Sequence, residues 1–257
     1  MNTQLARKPA SSIKLGTIWQ LGDHRLAYGD CRDEKLLQRL IGKDKVSLIC
    51  ADVPYGVGVV ESKRNFQTLS KDKVIQNDQL QSDVEYAAFS QAWLNAVKPF
   101  LAKKNATYIF NADKMIWPLH EGIINAGFKF AQLLIWVKSQ SVIGRLDYAP
   151  QHELIFYGWY GTHHFRRSKD KSVLFYPRPS KSKLHPTTKP VGLRRRLILN
   201  STSIGDAVYD GFLGSGTTLL ACEQTKRRCF AIEVEEEYCL TTIRRWEQLT
   251  GLKAKRV

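Results

Sequence analysis

An α/β fold, with a largely parallel sheet covered by helices, is what this sequence predicts. Short apolar runs of strand length alternate with stretches of helical periodicity along most of the chain. Apolar residues make up 43% of the sequence and aromatics 11%, enough to build a core and too much for disorder. The 257 residues suit one large α/β domain or two small ones.

Taken in order, Arg25–Tyr28 reads as an edge strand and Val46–Cys50 (VSLIC) as a buried one, followed by the turn residues DVPYG. Residues 57–81 are polar and irregular. Ser82 to Glu85 (SDVE) is a capping box. Behind it Tyr86, Phe89, Trp93, Val97 and Phe100 recur every three or four residues, and Pro99 ends the helix. Ala106–Phe110, Leu133–Val137 and Leu154–Tyr157 are further strands, and 158–189 is again irregular. Pro190 suits the first position of a helix carrying Leu193 and Leu197. Ala207–Tyr209 and Cys229–Ile232 are strands on either side of a glycine-rich turn and a helix. Cys239, Ile243, Trp246 and Leu249 form the apolar face of a last helix that Gly251 stops.

The formal charge of +15 points to a polyanionic partner, nucleic acid being the usual one. Residues 158–189 concentrate that charge: Arg166, Arg167, Lys169, Lys171, Arg178, Lys181, Lys183 and Lys189 stand against one acid, Asp170. Trp159, Tyr160, Phe165, Phe175 and Tyr176 are interleaved among them. Cations with aromatic planes between them suit a nucleic-acid surface; the alternative is a solvated loop with a few packing anchors. No apolar run is long enough to span a bilayer, and the first residues lack the apolar segment of a signal peptide, so a soluble intracellular protein without membrane partners is expected. The five cysteines form no C-x-x-C pair and read as reduced, mostly buried thiols, with neither a disulfide framework nor structural zinc.

The segment AVYDGFLGSGTTLLACEQ places glycines between a strand and a helix, where α/β sheets bind nucleotide-like ligands. It fails the dinucleotide register, because Leu219 stands where the third glycine belongs. It also fails the P-loop register, because Thr217 stands where the phosphate-binding Lys belongs. Glu233 closes the next strand nineteen positions beyond Gly214, an offset at which an acid can accept from ribose hydroxyls. A ligand with ribose and no phosphate is left, with S-adenosyl-L-methionine the leading candidate. Glu233 reads equally well as a surface acid of the charged stretch EVEEE.

A second turn, ADVPYG, directly follows VSLIC. Asp52 and the Val53 carbonyl can each accept a hydrogen bond from an exocyclic amine. Pro54 stiffens the turn, and Tyr55 offers a flat face for stacking. Such a niche suits an amine whose lone pair is delocalised into a ring, attacking a methyl already activated as a sulfonium; placement in line with the S–CH3 bond then supplies most of the acceleration. A plain strand-to-helix turn is the alternative.

DVPYG together with DGFLGSGTT resembles the amino-group DNA methyltransferases, whose catalytic turn reads [DNS]-P-P-[YFW] and whose cofactor turn reads D-P-F-x-G-S-G-T-T. With the catalytic turn first and the cofactor turn last, the order is that of the β group. HPTTKP (His185 to Pro190), Leu134 to Trp159 and LGDHRLAYGDC (Leu21 to Cys31) also resemble segments of phage and bacterial members, so the likeness runs from about residue 19 to residue 251.

The resemblance implies a single Rossmann-like methyltransferase domain over 1–257. It implies a mostly parallel twisted sheet with one antiparallel strand, helices on both faces and a circularly permuted motif order. It further implies a cytoplasmic bacterial or phage enzyme, often dimeric, that methylates adenine N6 or cytosine N4 in double-stranded DNA. Asp52, Val53, Pro54 and Tyr55 would hold and stack the flipped base. Asp210, Phe212, Gly214, Ser215, Gly216, Thr217, Thr218 and Glu233 would line the cofactor, with Asp30 and Cys31 near its adenine, Lys189 and Pro190 near its methionine end, and Asp52 adjoining. The basic residues of 158–189, with residues 57–81, would contact DNA. No nuclease motif is evident, so a restriction partner would be a separate protein.

Asp at the first catalytic position leans towards adenine. Val53 and Gly211 stand where the family has prolines; they motivate the alternative of a degenerate DNA-binding relative, which expects prolines at both positions to revive turnover. A methyltransferase of RNA or of a protein glutamine ranks lower, because those relatives carry the cofactor turn upstream.

Overall fold

A computed structural model describes residues 13–55, 81–141, 147–163, 165–166, 170–177 and 189–257. The chain runs β1 (Ile18–Leu21), β2 (His24–Tyr28), α1 (Glu34–Ile41), β3 (Val46–Asp52), α2 (Asp83–Val97), β4 (Leu101–Asn111), α3 (Ile116–Asn125), β5 (Lys129–Val137) and β6 (His152–Trp159). It continues through β7 (Thr162–His163), β8 (Val173–Phe175), α4 (Val191–Ser201), β9 (Ala207–Asp210), α5 (Thr217–Thr225), β10 (Arg228–Glu233), α6 (Glu236–Thr250) and β11 (Lys255–Arg256). The strands form one sheet in the order β11-β1-β2-β10-β9-β3-β4-β6-β5-β8, with β7 beside β4.

Strands β2, β10, β9, β3 and β4 are mutually parallel, and β6 runs against β4 and β5 as the expected antiparallel strand. The outer hairpin adds a second reversal, β1 against β2. Arg25–Tyr28 is therefore not an edge strand: β2 lies between β1 and β10, because a turn at Gly22 (φ +56) folds β1 back over it and β11 covers β1 in turn. The segment 158–189 is less irregular than expected, since β6 extends into it, β7 joins β4, and β8 extends the sheet beyond β5.

Helices cover both faces. Leu36, Leu37, Leu40 and Ile41 of α1, Tyr86, Trp93 and Val97 of α2 and Leu119 and Ile123 of α3 share one buried cluster with Ile49 and Ile232. Leu193, Leu197 and Ile198 of α4, Leu219 and Cys222 of α5 and Trp246 of α6 share the other with Leu48 and Val208. Neighbouring strand positions thus point to opposite cores, as the two-residue period of a strand requires. Full burial of side chains of this size stabilises by about 1.5–3 kcal/mol each.

Local signals set the helix ends. Ser82 and Glu85 make the reciprocal capping box of α2, a 3-10 turn containing Pro99 follows that helix, and Gly251 closes α6 at φ +76. Pro190 caps α4 rather than opening it, one residue off the expected position.

Candidate active site

Helix α2, which follows β3, lies on one face, and α5, which follows β9, on the other. The chain therefore leaves these adjacent parallel strands in opposite directions, which opens a crevice at their carboxyl ends. That rim is acidic: β3 ends in Asp52, β9 in Asp210 and β10 in Glu233, with Asp30 just past β2. Asp52 and the glycine turn after Asp210 share this rim.

Asp52 is held by three side chains. Its Oδ2 pairs with Lys189 Nζ at 2.8 Å, and Tyr55 Oη lies 3.1 Å from its Oδ1. Arg194 of α4 donates to the Cys50 carbonyl at 3.0 Å and brings its other guanidinium nitrogen 4.0 Å from Asp52. The Tyr55 hydroxyl also reaches Glu153 Oε2 at 2.8 Å, so its proton serves one carboxylate at a time, while Lys189 donates to the phenol oxygen at 3.1 Å. Burial first, then the charges of Asp52 and Glu153, push the Tyr55 phenol well above its usual range and keep it a donor. Lys189 is 4% exposed; burial disfavours its charge, but Asp52 and Glu153 outweigh that and raise it. Glu153 completes the group by pairing with Lys189 at 3.1 Å and with Lys138 at 2.9 Å.

The turn is seated from beneath. Tyr86 donates to the Pro54 carbonyl at 2.9 Å and accepts from Asn111 at 2.9 Å. Val53, where the related turns carry proline, is 2% exposed and packs in the core with Tyr86 and Phe89.

In the glycine turn, Asp210 accepts from the Phe212 N–H at 3.0 Å and the Thr218 hydroxyl at 2.5 Å. Glu233 accepts from the Gly214 N–H at 2.6 Å and the Glu235 N–H at 2.8 Å. Burial pushes Glu233 up to about 7 against those two donors. Gly216 has φ +91, and a Cβ there would lie 2.7 Å from Thr242 Oγ1, so both conformation and space require glycine. Thr242 donates to the Gly214 carbonyl at 3.1 Å, and Arg245 donates to the Ser215 carbonyl. Thr217 opens α5, and Phe212 packs its ring edge-on against Trp93, 5.4 Å between centroids. Pro190 is half-buried beside Lys189. Cys31 is buried, and Asp30 is gripped by Arg32. Burial pushes the Asp30 carboxyl up, but the Arg32 hydrogen bonds outweigh it and hold it below its usual range.

Gly211 has a physical reason. A Cβ there would sit 2.9 Å from the Tyr209 hydroxyl and 3.0 Å from Cys31 Cβ. Tyr209 occupies the room a proline would need, so restoring proline at this position alone would clash rather than repair the turn.

Of the basic residues, Arg166 and Lys171 are exposed; Arg167, Lys169, Arg178, Lys181 and Lys183 lie outside the described residues, as does nearly all of 57–81. Asp170 docks this stretch onto α4, accepting from Arg196 Nε at 2.9 Å and Asn200 at 2.6 Å. Arg166 reaches the same helix end through its N–H to the Asn200 carbonyl at 2.7 Å. Glu153, Lys138 and Arg194 were missed from the sequence. The only signal for Lys138 and Glu153 is a charged residue immediately outside an apolar strand run, Lys138 after LLIWV and Glu153 before LIFY; Arg194, within α4, has none.

The DNA methylase family model of N6 and N4 enzymes matches residues 46–244. The type II methyltransferase M.HpaI of Haemophilus parainfluenzae is 26% identical over 222 residues, which cover 76% of this chain and 66% of that enzyme. The chain therefore spans just under two thirds of the length of that relative. Among solved structures, the M1.HpyAVI–SAM complex superposes with a TM-score of 0.63 at 24% identity, covering 86% of this chain and 98% of that one. PvuII DNA methyltransferase, described as cytosine-N4-specific, superposes at 0.68 with 16% identity, covering 88% and 89%. The chain belongs to the DNA methylase family of N6 and N4 amino-methyltransferases, which depend on S-adenosyl-L-methionine.

Proposed function

We propose that this chain transfers a methyl group from S-adenosyl-L-methionine to the exocyclic amine of a base flipped out of duplex DNA, with adenine N6 favoured. One observation carries the reading. Asp52, at the end of β3, and the Gly214–Thr218 turn, after β9, occupy the carboxyl rim of adjacent parallel strands, with Lys189 and Arg194 against Asp52.

The residues fit the cofactor. The turn gives it backbone without phosphate charge, and Glu233, buried beside Gly214, keeps lone pairs for ribose hydroxyls. When bound, S-adenosyl-L-methionine supplies a methyl made electrophilic by its sulfonium. Asp52 and the Val53 carbonyl accept the two amino hydrogens, which favours a pyramidal nitrogen with a free lone pair. Pro54, fixed by Tyr86, holds that geometry. Tyr55 turns its ring to the base and its hydroxyl to Asp52 and Glu153. Extruding a base costs a few kcal/mol, which phosphate contacts from the basic segment offset. Val53 packed in the core and Gly211 filled by Tyr209 favour a working site over a degenerate one. The catalytic Asp, not the fold, carries the adenine preference. Work as a homodimer in the bacterial or phage-infected cytoplasm is part of the same proposal.

Incubation with labelled S-adenosyl-L-methionine and mixed-sequence duplex DNA, followed by hydrolysis to nucleosides, tests it. Label in N6-methyladenine is expected. Label in N4-methylcytosine corrects the base and keeps the class, and unlabelled DNA despite measured cofactor binding contradicts the function.

A further inference from the structure

Lys138 and Glu153 are charged residues at the site that belong to neither the catalytic nor the cofactor turn. They are diagonal neighbours at the end of the antiparallel pair β5–β6, Glu153 opposite Trp136 and Lys138 just past the end of β5, and the Lys138 and Glu153 side chains are 7% and 15% exposed. Glu153 gives one oxygen to Lys138 at 2.9 Å and the other to Lys189 at 3.1 Å and Tyr55 at 2.8 Å. Lys189 in turn touches Asp52 at 2.8 Å. The chain Lys138–Glu153–Lys189–Asp52 thus alternates in sign, two buried ammonium groups against two carboxylates. Burial pushes the Glu153 carboxyl up, but Lys189 and Lys138 outweigh it and hold it to about 2, so it stays ionised.

We propose that Glu153 is a positioning residue that sets the charge of the methyl-transfer pocket, its carboxylate neutralising Lys138 and Lys189 so that a cationic sulfonium can dock beside Asp52. The assignment rests on methyl transfer taking place at Asp52. The methyl must meet the amine that Asp52 holds, so the sulfonium charge arrives next to Lys189 as well. Without Glu153, Lys138 would lose its partner, and Lys189, Arg194 and the sulfonium would all bear on Asp52; buried charge without a partner is strongly disfavoured. The product, S-adenosyl-L-homocysteine, has a neutral sulfur and is otherwise almost the same molecule. A purely structural role for Glu153 would therefore change both affinities alike, whereas an electrostatic role changes their ratio.

The experiment is titration calorimetry of both ligands into the full chain, wild type, Glu153→Gln and Lys138→Gln, with thermal melts to verify folding. Gln at 153 removes the charge and keeps one acceptor oxygen, for Tyr55 and Lys189, while its NH2 loses the acceptor that Lys138 used. A unit charge about 10 Å away at an effective dielectric of about 20 changes affinity about tenfold. Glu153→Gln is expected to weaken S-adenosyl-L-methionine about tenfold relative to S-adenosyl-L-homocysteine. Lys138→Gln is expected to shift the ratio the other way, by about sixfold for a charge about 15 Å away. If Glu153→Gln does not fold, the opposite shift in Lys138→Gln decides alone. Equal changes for both ligands, or a Lys138→Gln shift in the same direction as Glu153→Gln, overturn the assignment while methyl transfer stands. Wild-type protein that binds neither ligand overturns methyl transfer, and the assignment with it.

Discussion

Glu233 is the residue whose protonation most directly couples to binding. Its carboxyl rises from an ordinary 4.5 to about 7 because burial outweighs the two N–H donors it accepts from. A raised folded value means that the associated stability is fully present below 4.5 and lost as pH rises through about 7. Ribose hydroxyls donating to this carboxyl favour the ionised form, so binding expels a proton near neutrality. S-adenosyl-L-methionine affinity is therefore expected to fall as pH drops from about 8 to about 6, and Glu233→Gln to flatten that dependence while weakening binding. Calorimetry across this range checks it, and a flat wild-type profile contradicts the assigned role. Asp52, Tyr55, the glycines and Glu233 were legible in the sequence because each site is a short stretch whose turn chemistry is local. Glu153, Lys138 and Arg194 were not, because only the β5–β6 register and the docking of α4 bring them to Asp52, with Glu153 98 positions from the Tyr55 it touches.

Among elements, α4 joins the two halves of the site. Lys189 stands at its entrance and Arg194 points to the strand ends, while Arg196 and Asn200 hold Asp170 and with it the basic stretch. Asp170, the single acid in that stretch of sequence, ties the described residues 170–177 to α4. Replacing Arg166, Arg167 and Lys169 by Ala is expected to weaken duplex binding and to flatten its dependence on log salt by roughly 0.9 for each phosphate no longer neutralised. An unchanged slope in salt titrations means that this stretch does not touch the backbone. The central strands were legible because they are buried on both faces and read as continuous apolar runs. Strands β1, β7, β8 and β11 were not, being two to four residues long and flanking the sheet, where pairing partners rather than composition decide.

At the scale of the molecule, the fold makes neighbours of strands far apart in sequence: β3, near the start, pairs with β9, near the end. At the carboxyl rim this creates, Asp52, Asp210 and Glu233 meet Lys189 and Arg194, while the chain as a whole carries +15. The permuted order and a common cleft at the ends of two neighbouring strands were legible from the two turns; which helices open that cleft was not, because it depends on α2 and α5 leaving for opposite faces. The most direct measurement is single-turnover transfer of labelled methyl to duplex DNA by wild type and Asp52→Ala, with cofactor affinity measured in parallel. The result expected is cofactor binding by both proteins, with transfer slowed at least about 100-fold in the variant. Transfer by Asp52→Ala at the wild-type rate would contradict the account.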